Sequence, residues 1–175
     1  MNLEKIRLTK VTLQDAPKLQ NIGQQTFYDT YGPPLNTEKN IQIYIQKNFE
    51  LDQLNIELQN PNSCFYFAKL NDQVVGYLKL NWGNAQTEKT TENTLEIERI
   101  YVVKEYQGKK IGNILIQKSI EIGKSKNIDY LWLGVWNKNT KAIKFYKNNG
   151  FLPFNKHEFL LGTESQVDII MKLSF

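Results

Sequence analysis

The sequence predicts an α/β fold in which a mixed central sheet of about six or seven strands is flanked by about four or five helices. Three observations support this prediction. A strand, an amphipathic helix and a second strand follow one another over residues 95–135 with short connections, which indicates a right-handed βαβ unit and a parallel strand pair. A hairpin pattern precedes this unit and two further strands follow it. A chain of 175 residues can bury a sizeable core, so we predict a single domain over residues 1–175.

Composition excludes several classes of protein. Hydrophobic residues make up 41% of the chain and charged residues 23%, which is ordinary for a globular protein. No apolar run approaches the ~20 residues of a membrane span, and the N-terminus lacks the apolar stretch of a signal peptide. We therefore expect a cytoplasmic protein without membrane segments. The single cysteine, Cys64, and the single histidine, His157, allow no disulfide and no cysteine or histidine metal cluster, so we expect no metal.

The N-terminal part is predicted to form a strand at residues 4–11 and then three helices. The first helix begins near Asp15 and ends at the Gly32-Pro33-Pro34 run. Its apolar face is formed by Leu19, Ile22, Gly23, Thr26 and Phe27. Thr37 can cap the second helix, and a short third helix is expected over residues 51–58.

Aromatic residues surround one carboxylate near the end of the first helix. Phe27, Tyr28 and Tyr31 lie around Asp29 in the sequence. Aromatic rings with a carboxylate can bind an organic cation, so Tyr28, Asp29 and Tyr31 are candidate substrate-binding residues. The alternative is a helix end whose rings pack on the core.

A hairpin and a polar loop follow the helices. Two β-rich runs over residues 64–80 flank Asn71-Asp72, which suits a two-residue turn. Gly76 inside the second run indicates a bulge or a close approach of another backbone. Residues 82–94 are polar and predict a loop long enough to be functional.

Residues 95–112, LEIERIYVVKEYQGKKIG, are the part of the chain most typical of a binding site. They predict a strand, a basic loop that contains Gly108, and a helix that begins near Ile111. Unpaired backbone N–H groups and the positive end of the helix dipole converge at such a junction, where they can hold a phosphate. Lys109 and Lys110 add two positive charges beside it.

The strand in this segment carries two glutamates. Strict alternation assigns Glu96 and Glu98 to one face, and it assigns Leu95, Ile97, Arg99 and Tyr101 to the other. A strand buried between helices should be apolar on both faces. Burial and a like-charged neighbour raise the pKa of a carboxylate, so such a pair suits a general base or a cation site. Glu96 and Glu98 are therefore candidates both for catalysis and for substrate binding. The alternative is a strand edge with solvated glutamates.

The C-terminal part continues with a helix over residues 111–126, a strand over 130–135, a further helix, and strands near 151–161 and 167–173. Asn139 is a natural cap for the further helix, which carries Tyr146 and ends near Gly150. Tyr146 would lie near the carboxyl ends of the parallel strands, where it could donate its phenolic proton to a leaving group. The alternative is a core tyrosine with one hydrogen bond.

Two segments resemble the central motifs of the GCN5-related N-acetyltransferase (GNAT) family. The family's loop motif, Gln/Arg-x-x-Gly-x-Gly/Ala, matches at Gln107 and Gly112, with Lys110 in place of the middle glycine. The second motif, N-x-x-A-x-x-FY followed by GF, matches at Asn139, Ala142, Phe145, Tyr146, Gly150 and Phe151. The order of elements matches from residue 4 to the end. Within the family, the strands and the tail with His157, Phe159, Gln166, Asp168 and Met171 are similar to bacterial spermidine/spermine N-acetyltransferases of the PaiA type.

The resemblance implies a site for acetyl-CoA and an amine acceptor such as a polyamine. Backbone groups of the strand end would hold the acetyl carbonyl and the pantetheine arm, and loop amides would bind the pyrophosphate. Asn139 would contact the cofactor, Tyr146 would protonate the departing thiolate, and Glu98 or Glu96 would accept the amine proton. The implied backbone contacts are Ile100, Tyr101, Val102, Gln107, Gly108, Lys109, Lys110, Ile111, Gly112 and Asn113. The resemblance also suggests a homodimer.

Two alternatives remain at this point. The acceptor amine could belong to a protein N-terminus, an amino acid or a drug instead of a polyamine. The chain could also be a CoA-binding or DNA-associated regulator with little catalysis. The net charge of +4 is mild and the lysines are scattered. No helix-turn-helix pattern is present, so nucleic-acid binding is not favoured.

Overall fold

One sheet of seven strands organises the computed structural model, which describes residues 6–88 and 92–175. The strands are β1 (Ile6–Lys10), β2 (Ser63–Leu70), β3 (Gln73–Trp82), β4 (Thr94–Val102), β5 (Tyr130–Trp136), β6 (Leu152–Leu161) and β7 (Glu164–Ser174). The helices are α1 (Ala16–Tyr31), α2 (Glu38–Phe49), α3 (Leu51–Gln59), α4 (Ile111–Ser125) and α5 (Thr140–Asn148). Residues 4 and 5 of the first predicted strand lie outside the described residues, as do residues 89–91 of the predicted loop.

The predicted mixed sheet is confirmed. Its strand order is β1-β2-β3-β4-β5-β7-β6. Strands β4 and β5 form the parallel pair across α4, as the βαβ pattern predicts, and the other neighbours are antiparallel. The local signals also hold. The hydroxyl of Thr37 accepts a hydrogen bond from the amide of Asn40, and Asn139 caps α5 through the amide of Ala142.

Helices cover the two faces of the sheet unequally. One core lies between the sheet and α4 and α5, and it contains Leu95, Ile97 and Leu131. The other lies under α1, α2 and α3, and it contains Phe65 and Tyr77. We call the side under α1 to α3 the acceptor face. A small third cluster of Tyr130, Trp132 and Ile170 lies on β5 and β7.

A β-bulge changes which residues of β4 share a face. Lys79 pairs with Arg99 whereas Leu80 pairs with Ile97, so Glu98 is an extra residue in β4. The predicted alternation is therefore wrong beyond Ile97. Ile100 packs in the same core as Leu95 and Ile97, and Tyr101 packs in the opposite core. The bulge brings Arg99 to the acceptor face, where it meets α3.

Gly76 has the close backbone contact that the sequence predicts. A Cβ at this position would lie 2.8 Å from the carbonyl oxygen of Tyr101, which is too close for any side chain. The adjacent register shift between Ala68 and Lys69 is a second irregularity.

Candidate active site

The parallel strands β4 and β5 separate after a short pairing. Only Thr94–Tyr130, Leu95–Leu131 and Glu96–Trp132 are paired among the described residues. Beyond Glu96 the edge of β4 that faces β5 has no ladder partner in the described sheet. In α/β sheets ligands bind where neighbouring strands diverge at their carboxyl ends. The cleft between β4 and β5 therefore opens toward the basic loop and the start of α5.

The loop after β4 presents a row of unpaired backbone amides. No backbone hydrogen bond within the described residues uses the amides of residues 108–113, and the first bonded amide is that of Ile114, which donates to Lys110. A Cβ at Gly108, whose φ is +75°, would meet no atom within 4 Å, so the loop is open. Lys110 takes the left-handed conformation with φ 61°. This conformation suits glycine, which explains why the family motif has glycine at this place.

Two contacts with α5 hold residues 108–113, which we call the cradle, in position. A Cβ at Gly112 would lie 3.0 Å from Cζ of Phe145, so a glycine lets α5 approach the start of α4. The side-chain amide of Asn113 donates to Oδ1 of Asn149 over 3.1 Å, which links the same two helices. The side chain of Asn139 is used as the cap of α5.

The side chain of Gln107 forms hydrogen bonds with other parts of the protein. Its side-chain amide donates to the carbonyl of Val102 over 3.1 Å, and its oxygen accepts from Lys141 over 2.7 Å. The loop is thereby tied to the end of β4 and to α5. Lys109 and Lys110 belong to the loop and Lys141 binds it through Gln107, so the cradle combines hydrogen-bond donors with positive charge.

Glu98 belongs to a buried group of four charged side chains. Its carboxylate contacts Nζ of Lys79 at 2.5 Å and Nη2 of Arg99 at 3.2 Å. Glu57 from α3 contacts the same two cations at 3.0 and 2.9 Å. Burial would raise the pKa of Glu98, but the Arg99 guanidinium and the Lys79 ammonium outweigh it and hold that pKa below the usual range. Glu98 is therefore a paired carboxylate near neutral pH.

Glu96 forms no ion pair with any residue that the structure describes. It is 3% exposed and accepts hydrogen bonds from the backbone amide and hydroxyl of Thr87 and from Asn81. Burial raises the pKa of Glu96 to about 7, and the negative charge of Glu98 adds to this rise. The two predicted carboxylates are thus neighbours with opposite pKa shifts. A carboxylate with a pKa near 7 can accept and release a proton under physiological conditions.

Tyr146 lies in the second half of α5, where it is 8% exposed and packs on Phe151. Burial raises the pKa of its phenol well above the ordinary value, and the nearby Tyr31 adds to the rise. The hydroxyl forms no hydrogen bond with any other residue in the described ranges. Tyr146 is thus a protonated phenol that has a proton free to donate.

The residues at the end of α1 are divided between two sides. Tyr31 packs on Trp136 with ring centroids 6.0 Å apart, so it reaches the cleft. Tyr28 is 40% exposed and donates to Glu38, and Asp29 is exposed. The turn of the helix places Tyr28 and Asp29 on its solvent side. Of the three candidate substrate-binding residues on α1, only Tyr31 lies beside Tyr146.

Several residues at the cleft carry no local signal in the sequence. Lys79, Asn81 and Glu57 approach the β4 glutamates from β3 and α3. Asp168 on β7 pairs with Trp136 of β5 across the ladder. For Asp168 the signals were the alternation of Gln166 and Asp168 with Val167 and Ile169 and the resemblance of this tail to PaiA-type enzymes, which gave the residue no role.

Residues 6–88 and 92–175 contain no group of three histidine, cysteine, aspartate or glutamate side chains that could hold a metal ion. Across the same residues, no helix has both the length and the apolar character to cross a bilayer.

Comparison with known proteins gives a consistent result. The model of the Acetyltransferase (GNAT) family matches residues 21–151. A protein of Lactobacillus delbrueckii subsp. lactis named an uncharacterized N-acetyltransferase in the pepI 3′ region is 37% identical over 167 residues, which cover 95% of this chain and 96% of the relative. The spermidine N(1)-acetyltransferase of Thermoplasma acidophilum is 27% identical over 150 residues, 83% of this chain and 88% of the relative.

Solved structures share the fold. The crystal structure of the PaiA N-acetyltransferase from Thermoplasma acidophilum in complex with coenzyme A matches with a TM-score of 0.78 and 24% identity, covering 97% of this chain and 99% of that chain. A GCN5-related N-acetyltransferase from Rhodopseudomonas palustris matches with a TM-score of 0.77 and 15% identity over the whole of this chain and 99% of that chain.

Proposed function

The chain belongs to the GNAT family of acetyltransferases, and from this premise we propose that it transfers an acetyl group from acetyl-CoA to a primary amine of a polyamine such as spermidine. Members of the family are acyltransferases that use acetyl-CoA. The similarity to a spermidine N(1)-acetyltransferase supports the polyamine as acceptor. We also propose that residues 1–175 form one N-acetyltransferase domain. The cytoplasmic location and the homodimer remain predictions.

The residues of the cradle fit the donor. The diphosphate of coenzyme A needs several hydrogen-bond donors and positive charge, and residues 108–113 supply free amides with Lys109 and Lys110 beside them. The unpaired edge of β4 at Ile100, Tyr101 and Val102 can pair with the amide groups of the pantetheine arm, as one strand pairs with another. Asn139 is used as a helix cap, so its contact with the cofactor would be made by its remaining amide group.

We assign the proton acceptor to Glu96 and the proton donor to Tyr146. An alkyl ammonium has a pKa of ~10.4, so its deprotonation at pH 7 costs about 4–5 kcal/mol. A base with a pKa near 7 reduces that cost, whereas Glu98 is held as a carboxylate by Lys79 and Arg99. Because Glu96 is almost fully buried, we propose that the proton reaches it through water at Thr87. The phenol of Tyr146 would protonate the thiolate that leaves.

The observation that carries this proposal is the combination of free loop amides, a cleft between β4 and β5, and a buried glutamate with a pKa of about 7. The test is release of CoA thiol from acetyl-CoA in the presence of spermidine, compared with an amino acid and a peptide with a free N-terminus. We expect spermidine to give the largest kcat/KM. If the protein bound CoA tightly but acetylated none of these amines, a CoA-binding regulator would be favoured instead.

Substitution of Glu98 distinguishes the two glutamates. Glu98→Gln removes the negative charge that helps to raise the pKa of Glu96. Because Glu96 must be deprotonated to act, kcat/KM of the wild-type enzyme should fall as the pH decreases through about 7. We expect this acidic limb to move to lower pH by ~1 unit in Glu98→Gln. The part of the pH profile that reflects ionisation of the amine substrate should be the same in Glu98→Gln and the wild-type enzyme.

The control for this experiment is Glu121→Gln, which removes an exposed carboxylate on α4. Its pH profile should overlap that of the wild-type enzyme. If Glu98→Gln is folded but has lost most of its kcat at every pH, Glu98 is the base and the assignment to Glu96 is wrong. Circular dichroism would verify that both variants are folded.

A further inference from the structure

We propose that Asp168 binds the ammonium group of the acceptor and that the acceptor's carbon chain lies in the cavity beside it, over Trp132 and Ile170. This inference rests on the proposed function for the presence of an amine acceptor. It assigns substrate recognition to β5, β6 and β7 on the acceptor face, and not to the end of α1. The acceptor is then a small aliphatic amine rather than a protein N-terminus.

Asp168 is the carboxylate beside the cleft that lacks a protein partner. Its side chain forms no hydrogen bond or ion pair with any other residue in the described ranges. By contrast, Glu98 is bound by Lys79 and Arg99, and Glu96 is enclosed by Thr87 and Asn81. Burial raises the pKa of Asp168, against the opposing effect of His157. A half-buried carboxylate without a partner is unfavourable unless a ligand supplies the counter-charge.

The strand beneath Asp168 is open at one residue. Every residue of β5 is buried except Gly134, which is exposed. A Cβ at Gly134 would lie 3.2 Å from Oδ2 of Asp168 and 3.7 Å from Cδ1 of Ile170. The glycine thus leaves space beside the carboxylate, two residues beyond the last β4–β5 pair at Trp132. Ligand can therefore reach Asp168 from the same cleft in which the strands separate.

A cavity of about 250 Å³ lies beside the neighbours of Asp168 on the acceptor face. Its walls include Trp132, Ile170 and His157, and His157 pairs with Asp168 across the β6–β7 ladder. Glu88 approaches from the loop after β3 and forms an ion pair with His157 at the rim. The volume is below the ~300–1,000 Å³ of pockets for drug-sized ligands, so it suits a short chain.

The position of Lys172 indicates how the acceptor is oriented in the cavity. Nζ of Lys172 already stands 4.8 Å from the ring centre of Tyr130 and 4.9 Å from that of Phe154, at the outer end of the cavity. Lys172 therefore disfavours an ammonium group at this end, and a further ammonium of a polyamine lies nearer the carboxylate of Glu88, which also lines the cavity. The favourable arrangement places a terminal ammonium at Asp168, next to the cleft, where it loses its proton toward Glu96 before the free amine is acetylated, and it places carbon atoms over Trp132 and Ile170.

The test is the affinity of spermidine for the CoA-saturated protein, measured by calorimetry, together with KM for spermidine where turnover is observed. Asp168→Asn keeps the size of the side chain and removes its charge. A hydrogen bond to a charged group contributes enough that we expect the Kd and KM for spermidine to rise ~10–100-fold. The affinity for CoA and the KM for acetyl-CoA should remain within about twofold, because the phosphate cradle lies on the other side of the cleft.

Glu164→Gln is the matched control, since it makes the same change at an exposed position of the same strand. It should bind spermidine as the wild-type protein does. Thermal unfolding and CoA affinity establish that Asp168→Asn is folded, and Asp168→Ala provides a second variant. Equal spermidine affinity in Asp168→Asn and Glu164→Gln, or no spermidine binding by the wild-type protein, overturns the Asp168 site. Spermidine binding without acetyl transfer would contradict the proposed function and leave the site standing.

Discussion

Replacement of Tyr146 by phenylalanine is expected to lower kcat by ~10²–10⁴-fold, which is the usual contribution of a positioned general acid. The ring fills the same space in the core beside Phe151, so the fold and the affinity for CoA should persist. What is lost is the proton of a phenol whose pKa burial holds well above its ordinary value. Steady-state kinetics with acetyl-CoA and spermidine would measure the loss, and calorimetry with CoA would confirm an intact donor site.

Tyr66→Phe is a suitable control, because Tyr66 lies on β2 away from the cleft and also keeps its ring after the substitution. Its kcat should equal that of the wild-type enzyme. A kcat for Tyr146→Phe within about threefold of the wild-type value would remove the phenol from the mechanism. Solvent would then be the proton source for the thiolate.

The largest expected effect on stability comes from Arg99→Met. Arg99 is 5% exposed, and its guanidinium binds Glu57 through two hydrogen bonds of 2.9 and 3.0 Å. Together with Lys79 and Glu98 it forms a buried group of two positive and two negative charges. Removal of one cation leaves a carboxylate without compensation, which typically costs about 3–5 kcal/mol. Chemical denaturation of the purified protein would measure the decrease in the free energy of unfolding.

Arg7→Met is the matched control for this change. Arg7 forms its ion pair with Asp72 on the surface, where the two side chains are 65% and 100% exposed. Surface pairs are screened by solvent, so this substitution should change the unfolding midpoint little. Comparable destabilisation by the two substitutions would mean that the buried group contributes no more than an exposed pair. Neither result depends on the identity of the acceptor.

Local patterns were sufficient for the secondary structure. Thr37 and Asn139 cap their helices because a side-chain oxygen can reach an amide three residues ahead, which depends only on neighbouring residues. The parallel pair β4–β5 follows from the strand–helix–strand order and the handedness of such crossovers. The basic loop was also predictable, because the free amides at the start of a helix are a property of the helix itself.

The failure of alternation in β4 has a local geometric cause. Period two assumes that every residue of a strand is paired, whereas the bulge at Glu98 adds one residue opposite Lys79 and Leu80. Arg99 and Tyr101 therefore lie on the face opposite to the one that alternation predicts. No residue near Glu98 in the sequence announces the bulge, because it depends on the register with β3.

The sequence by itself determined the order of elements, the helix caps, the basic cradle and the presence of Tyr146 near the carboxyl end of β5. Only the tertiary structure decided that Glu98 is paired, that Glu96 has a pKa of about 7, and that Asp168 lies beside the open Gly134. The reason is that caps and periodicity depend on separation along the chain. A pKa or a binding site depends instead on charges and surfaces that are close in space, and these come from β3, α3 and β7.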